Sequence, residues 1–371
     1  MIFVNDIPGI RDIPQWLGHI PTSGDGMFLA DVVFPLFLFW VGMSIPLAID
    51  GRQKKGDGEI TILKHILKRT AGLVFIGVLM VNTGDLEPAV AGIDRNTWAL
   101  LMYLGVIAAW RVYGKEKTKT GRLTAQIFHY IGIGLLAFVV LVFRSRNGGW
   151  LTPQWWGILG LIGWAYLVSA VAFLFLKKHF NYLMLFFLGL LIYHAAYTQI
   201  TFLKGNADWL AINSYGAHAC LTFAGMMATL VMKKYRHKTR QLFMIWGMAG
   251  FIFLVGGFAS RSLWGISKIQ ASPSWVYISL GIGFGLLMLV WFLTEIKARS
   301  SWARLFSPAG TQTFLAYLLP GVYYHVIWLF GINYPVWMSQ SWGGILRALA
   351  FTIITIRLTG ILSGFGIRLK L

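Results

Sequence analysis

Cysteine and acidic residues are both scarce in this sequence. Cys220 is the single cysteine, and Asp and Glu together fill 13 of 371 positions against 32 for Lys and Arg. One cysteine excludes an intramolecular disulfide and a thiolate metal cluster. Charged residues make up only 12% of the chain, whereas hydrophobic residues make up 57%. No water-soluble core could bury that much apolar surface, so the composition indicates an integral membrane protein.

Motifs of the common nucleotide, metal and hydrolase sites are absent as well. The sequence has no Walker loop, HExxH, CxxC or Rossmann fingerprint, and no G-x-S-x-G elbow. The glycine-rich stretch 281–285 lies within an apolar run, where small residues allow helices to approach closely. We therefore predict a packing role for these glycines, and we expect no metal site.

Eleven apolar stretches approach the roughly 20 residues that a helix needs to cross a bilayer. The loops between them are short, so we predict one all-α polytopic transmembrane domain over 1–371, with an outward catalytic loop in 1–27 and a helical bundle in 28–371. The apolar Met1–Val4 is too short to span and is interpreted as the outer end of a truncated first helix. The predicted full spans are 28–49, 62–83, 97–113, 123–143, 155–176, 181–203, 209–232, 241–259, 275–296, 309–331 and 343–366.

Basic residues are concentrated in alternate loops of this predicted topology. Of the 32 Lys and Arg residues, 23 fall on one side, seven on the other and two within the last span. The positive-inside rule assigns the side with 23 to the cytoplasm. The loop that contains His19 then faces outward, the C-terminus is cytoplasmic, and the net charge of +19 reflects topology rather than binding to nucleic acid.

The most specific pattern in the chain occupies about 45 residues near the N-terminus. It combines Asn5-Asp6-Ile7-Pro8-Gly9, Trp16-Leu17-Gly18-His19, Gly24-Asp25-Gly26 and Ala30-Asp31-Val32-Val33-Phe34-Pro35, and the span closes in Val41-Gly42-Met43-Ser44-Ile45. This combination resembles the heparan-α-glucosaminide N-acetyltransferase family, which includes bacterial members placed with amino-sugar use.

Two later segments resemble the same family more weakly. Residues 263–268 are similar to an outward N-K-x-x-W region, and residues 309–317 are similar to a helix that carries a membrane histidine, here His325. The sequence departs from the family pattern because it lacks the opening D-x-x-R-G half-helix, and because Gln312 stands where the family usually has Asn.

The resemblance implies an enzyme of the bacterial inner membrane that takes acetyl-CoA from the cytoplasm and acetylates a glucosamine-type sugar at the outer face. The family's catalytic histidine matches His19 and its essential asparagine matches Asn5. Neutral imidazole, with an unperturbed pKa of about 6.5, can accept the proton that the sugar amine loses. An amide N–H of Asn5 could stabilise the tetrahedral oxyanion by about 3 kcal/mol.

Asp31 has more than one interpretation. It could hold His19 in one tautomer, bind the ammonium form of the acceptor, or only cap the first turn of its helix. His19 itself could be merely an interfacial residue. If it is catalytic, it acts either as a base or as an acetylated intermediate.

The remaining candidates have polar, aromatic or basic side chains. Acceptor contacts are expected from Asp6, Trp16, Asp25, Lys268 and His325, and contacts to the phosphates of acetyl-CoA from Lys64, Lys68 and Arg69. The three basic residues could instead be topology anchors, and His325 could be a core histidine.

Two other functions stay open. A sugar permease without catalysis would also carry membrane histidines such as His194 and His218, for which we favour structural roles. An O-acetyltransferase of surface glycans would share the donor and the base. The expected partners are the lipid bilayer, an amino sugar and a second copy of the chain in a homodimer.

Overall fold

The computed structural model describes residues 1–113, 119–154, 157–199 and 216–370. Within these ranges the regular structure is helical, and only isolated bridges such as the one between Arg11 and Gln340 have extended pairing. The all-α prediction is confirmed. Each predicted span overlaps a long helix in the described residues, and the span 309–331 is interrupted at Gln312. Residues 155–156 and 200–215, where three of the spans begin or end, lie outside the described residues.

Long helices alternate with a few short ones. The long helices are α2 (Leu29–Gln53), α3 (Glu59–Asn82), α5 (Arg95–Trp110), α6 (Lys119–Val142), α7 (Ile158–Leu176), α8 (Phe180–Gln199), α9 (Ala217–Tyr235), α10 (Thr239–Ala259), α12 (Pro273–Trp291), α14 (Thr313–Leu329) and α15 (Ser341–Gly364). The short helices are α1 (Ile2–Asp6), α4 (Pro88–Ala91), α11 (Arg261–Trp264) and α13 (Ser307–Thr311).

Eight helices in the described ranges are long and apolar enough to cross a membrane, with mean hydropathy between 1.4 and 2.2. Helix α14 is apolar but shorter, at 17 residues, and α5 has 16 residues. Helix α5 begins at Arg95 because the Asp94 carboxylate accepts the N–H groups of Asn96 and Thr97. The chain is therefore a multi-pass membrane protein whose environment is a lipid bilayer.

The chain divides into two compact units. Unit 1 comprises residues 1–13, 75–157 and 300–371, and unit 2 comprises residues 14–74 and 158–299. Whether the two units act as the single domain expected from the sequence stays a prediction.

Unit 2 is built on close helix pairs. A Cβ atom at Gly42 of α2 would overlap the carbonyl oxygen of Thr222 in α9, and one at Gly225 of α9 would overlap that of Phe39. Small residues let the two backbones touch, which is a common way for membrane helices to associate. In the predicted glycine stretch of α12, Gly281 packs against α10 in the same manner, whereas Gly285 faces open space.

Unit 1 packs α5 against α6 and α14. The indole N–H of the buried Trp98 in α5 donates to the carbonyl of Val139 in α6 at 2.8 Å. Gly321 of α14 lies against the ring of Tyr103 in α5, where a Cβ atom would not fit. These contacts pack α5 against α6 and α14 within unit 1.

Candidate active site

Asp31 lies in the first turn of α2 and is only 2% exposed. Its Oδ2 atom accepts two backbone N–H groups at 3.0 Å, from Ile20 and from Phe28, the N-cap residue. A carboxylate in this position satisfies donors that the helix cannot pair and interacts favourably with the helix dipole. One of the two Asp31 oxygens therefore has the capping role.

The other oxygen of Asp31 holds His19. The distance between His19 Nδ1 and Asp31 Oδ1 is 2.6 Å, and the histidine side chain is 42% exposed. Because a carboxylate only accepts hydrogen bonds, Nδ1 carries the proton, and a neutral ring then has a free lone pair on Nε2. Nε2 has no hydrogen-bond partner among the described residues. The arrangement suits an accessible base with a fixed tautomer.

Lys268 brings a positive charge to the same pair. Its Nζ atom lies 3.3 Å from His19 Nδ1, and the closer Asp31 oxygen takes the Nδ1 proton. Burial lowers the pKa of Lys268, and the charge of Asp31 partly opposes that shift. An ammonium group here can donate a hydrogen bond to an anionic oxygen nearby.

Asp25 joins the His19 loop to the segment that carries Lys268. Its two oxygens accept from the backbone N–H of Ile266 at 2.7 Å and from Arg261 Nε at 2.8 Å. These hydrogen bonds lower the pKa of Asp25. In addition, Trp275 donates its indole N–H to the backbone carbonyl of Asp31 at 3.0 Å. We expected Asp25 to contact the acceptor. In the structure both of its oxygens accept hydrogen bonds that attach the His19 loop to residues 261–266.

Trp16 belongs to the same loop as His19. It lies on the short 3-10 turn Gln15–Leu17 and is 58% exposed. An exposed indole three residues before the histidine has an aromatic face available to a sugar. The contact between Trp16 and the acceptor stays a prediction.

Asn5 and Asp6 belong to unit 1, whereas His19, Asp31 and Lys268 belong to unit 2. Asn5 is exposed at the end of α1, and its oxyanion role stays a prediction. Asp6 is buried, and its Oδ2 lies 3.4 Å from the guanidinium of Arg347, which stacks on the ring of Tyr334. Burial raises the pKa of Asp6 to about 6, although the charge and hydrogen bond of Arg347 act in the opposite direction.

His325 also has partners inside unit 1. Its Nδ1 atom lies 2.9 Å from the side-chain oxygen of Asn96 in α5, and its ring contacts Tyr103 and Trp328. One ring nitrogen is thus held by a neighbouring helix. A contact between His325 and the acceptor stays a prediction.

The candidate donor residues lie in the first half of α3. Lys64 and Lys68 are exposed and, being four residues apart, share one face of the helix. Arg69 is less exposed and stacks on the ring of Tyr166 at 4.6 Å. Its Nε atom is buried without a hydrogen-bond partner in the described part of the chain. Among the described residues, the three side chains therefore supply two ammonium groups without a hydrogen-bond partner and one partly unsatisfied guanidinium.

Two comparisons with known proteins bear on this site. A family model described as "Domain of unknown function (DUF5009)" matches residues 13–209, a range that includes His19, Asp31 and the candidate donor residues. The mouse (Mus musculus) heparan-alpha-glucosaminide N-acetyltransferase is 38% identical over 61 residues, which are 16% of this chain and 9% of that protein. Together the matches support a distant relation to the family that the N-terminal pattern resembles, and the bacterial type stays a prediction.

Proposed function

Because the chain belongs to the DUF5009 family, whose model matches more than half of it, we propose that it is a membrane-embedded acetyltransferase. Acetyl moves from acetyl-CoA at the cytoplasmic face to the amino group of a glucosamine-type sugar at the opposite face of the inner membrane. The observation that carries this proposal is the exposed His19 ring held by the buried Asp31 carboxylate. The partial likeness to the mouse N-acetyltransferase supports the reaction class.

In the direct form of the reaction, His19 acts as a general base. The sugar nitrogen forms a bond to the thioester carbon while its proton passes to Nε2 of His19, and the C–S bond then breaks to release coenzyme A as a thiolate, which takes up a proton. Asp31 stabilises the imidazolium that forms, as the acid of a catalytic triad does. In the two-step form, Nε2 attacks the thioester carbon and the C–S bond breaks to release the coenzyme A thiolate, which takes up a proton. The sugar nitrogen then attacks the acetyl carbon, the bond between that carbon and Nε2 breaks, and the proton lost by the amine passes to the imidazole.

The developing oxyanion needs a donor in either form. The ammonium group of Lys268, 3.3 Å from His19 Nδ1, is a candidate, and Asn5 is a second one. Lys64, Lys68 and Arg69 supply positive charge for the phosphates of acetyl-CoA, which bind most strongly to such groups.

Replacement of His19 tests the proposal. Membranes that contain the chain are supplied with acetyl-CoA and glucosamine, and N-acetylglucosamine is quantified. We expect His19→Ala to lower the rate by about 10²-fold or more, since general bases contribute about 10²–10⁴-fold. His237→Ala, at an exposed turn after α9, is the matched control and should leave the rate unchanged. Equal rates in the two variants would exclude His19 as the base.

A labelling experiment distinguishes the two forms of the reaction. Membranes are incubated with acetyl-CoA carrying a radiolabelled acetyl group in the absence of sugar, and the protein is digested. Label on the peptide that contains His19, and its release on addition of glucosamine, supports the two-step form. An unlabelled peptide from membranes that turn over normally supports direct transfer.

A further inference from the structure

A polar cavity in unit 1 lies between the end of α3 and the loop that follows α6, and it is open to its surroundings on one side. Its volume is about 360 Å³, within the range of roughly 300–1,000 Å³ that is typical of small-molecule sites. The residues that line it include Asp85, Ser145, Arg146, Asn147 and Trp150. None of them takes part in the acetyl transfer proposed above.

The wall of this cavity is fixed by Asn82, which is buried. Its amide nitrogen donates to the carbonyls of Val78 and Thr152 at 2.8 and 2.9 Å, and its oxygen accepts the backbone N–H of Thr152 at 3.1 Å. Asn82 therefore attaches the loop that contains Thr152 to the end of α3, and its amide donors and its oxygen are all bonded within the protein. A wall with such support keeps its shape without a ligand.

Trp150 gives the cavity an aromatic surface in a fixed orientation. Its indole N–H donates to the carbonyl of Val140 at 2.6 Å, yet the side chain is 55% exposed. The donor is already used, so the ring face remains for a ligand. An indole face packs well against the C–H side of a pyranose ring and attracts an ammonium group electrostatically.

The polar groups around Trp150 include both donors and acceptors. One oxygen of Asp85 accepts from Gln154 at 2.7 Å. In the described ranges, no partner binds the other oxygen of Asp85, the hydroxyl of Ser145 or the amide of Asn147. Arg146 contacts Glu87 at 3.3 Å through Nε, and its other N–H groups have no partner in the part of the chain that the structure describes. An apolar ligand would leave these groups unpaired, whereas sugar hydroxyls can pair with both kinds.

We propose that this cavity binds an amino sugar. The pyranose ring lies on Trp150, its ammonium group faces the free oxygen of Asp85, and its hydroxyls pair with Ser145 and Asn147. This site is additional to the acceptor position at His19 and does not depend on the acetyl-transfer reaction, so either proposal can fail without the other.

Equilibrium dialysis with radiolabelled D-glucosamine tests the site in the purified full chain in detergent micelles. We expect Trp150→Ala to weaken binding by about tenfold or more, and so to lose one equivalent of bound sugar, because the aromatic contact surface is removed. Trp150→Phe keeps an aromatic face and should retain the sugar. Trp342→Ala removes another exposed indole of unit 1 outside this cavity and should bind like the parent.

Asp85→Asn tests the recognition of the amine. It should weaken glucosamine by about fivefold or more and leave N-acetyl-D-glucosamine, which has no charge, nearly unchanged. Thermal unfolding verifies that Trp150→Ala and the parent are both folded. If the two folded proteins bind the sugar equally, the proposal is overturned, since Trp150 would then serve only as an interfacial anchor. His19→Ala should retain the sugar at this site, which separates the result from a failure of acetyl transfer.

Discussion

The two oxygens of Asp31 have different partners, so its two roles can be separated by one substitution. Oδ2 accepts both backbone N–H groups, and Oδ1 accepts the proton of His19. Asparagine can place its oxygen at the Oδ2 position and its NH₂ group at the Oδ1 position. The cap is then kept, while the NH₂ group donates to Nδ1 and forces the proton onto Nε2, where a base needs a lone pair.

Asp31→Asn should therefore lower acetyl transfer far more than it lowers stability. We expect a loss of about 10²–10⁴-fold in rate, comparable with tautomer reversal in a catalytic triad, and little change in unfolding temperature. Asp31→Ala removes the cap as well and should cost about 1 kcal/mol in addition. A normal rate in Asp31→Asn would show that the orientation of His19 by Asp31 is unimportant for catalysis.

Asp6 predicts a pH dependence of stability. Its pKa of about 6 in the folded chain exceeds the usual 3.8, because the carboxyl group is buried. The folded state therefore holds the proton more tightly, and the resulting stability, no more than about 3 kcal/mol, is present below pH 4 and lost as the pH rises to 6. Asp6→Asn resembles the protonated form and does not lose this stability. The difference in unfolding temperature between Asp6→Asn and the parent should therefore be larger at pH 7.5 than at pH 4.5. The exposed Asp12→Asn should show no such change.

Local patterns predict some of these residue contacts and miss others. His19 and Asp31 are only 12 positions apart, one in a loop and the other in the first turn of the helix that follows it, so a histidine shortly before a helix-capping acid indicates the pair. Asp25 and Arg261 are 236 positions apart, and Asp6 and Arg347 are 341 apart. Such pairs depend on how helices pack, which the hydrophobic pattern does not specify.

At the scale of helices, hydrophobicity predicts well which segments are helical, and it predicts less well the residues at which each helix begins and ends. In the described residues, each of the eleven apolar stretches contains a long helix, because a chain in lipid must satisfy its backbone groups within each segment. The ends depend on single residues: Asp94 fixes the start of α5, and the non-helical backbone of Gln312 separates α13 from α14. The contact between α2 and α9 likewise depends on two glycines.

Gly225→Ala should destabilise unit 2, because the added methyl group would collide with the backbone of Phe39. Overpacking of this kind typically costs about 1–3 kcal/mol, and we expect a lower unfolding temperature and less folded protein in membranes. Gly51→Ala in α2 meets open space and is the matched control, with an unchanged or slightly higher unfolding temperature. Equal behaviour of the two variants would contradict a close approach of α2 and α9.

For the whole molecule, the charge distribution predicts an orientation that the helices alone do not define. The buried Cys220 is the single cysteine of the chain, so a Cys220→Ala variant provides a background without thiols. In that background, Thr22→Cys should react with a membrane-impermeant maleimide in intact cells. His237→Cys should react only after permeabilisation. The reverse pattern would place His19 in the cytoplasm.

The ties between the His19 loop and residues 261–275 have a consequence for the entropy of substrate binding. The loop has little regular structure, yet hydrogen bonds hold the backbone N–H groups of Ile20, Gly26 and Phe28. Most flexible loops lose conformational freedom when they close on a ligand, which weakens binding. Here the freedom is removed when the chain folds, so a sugar that reaches His19 meets a loop that is already ordered.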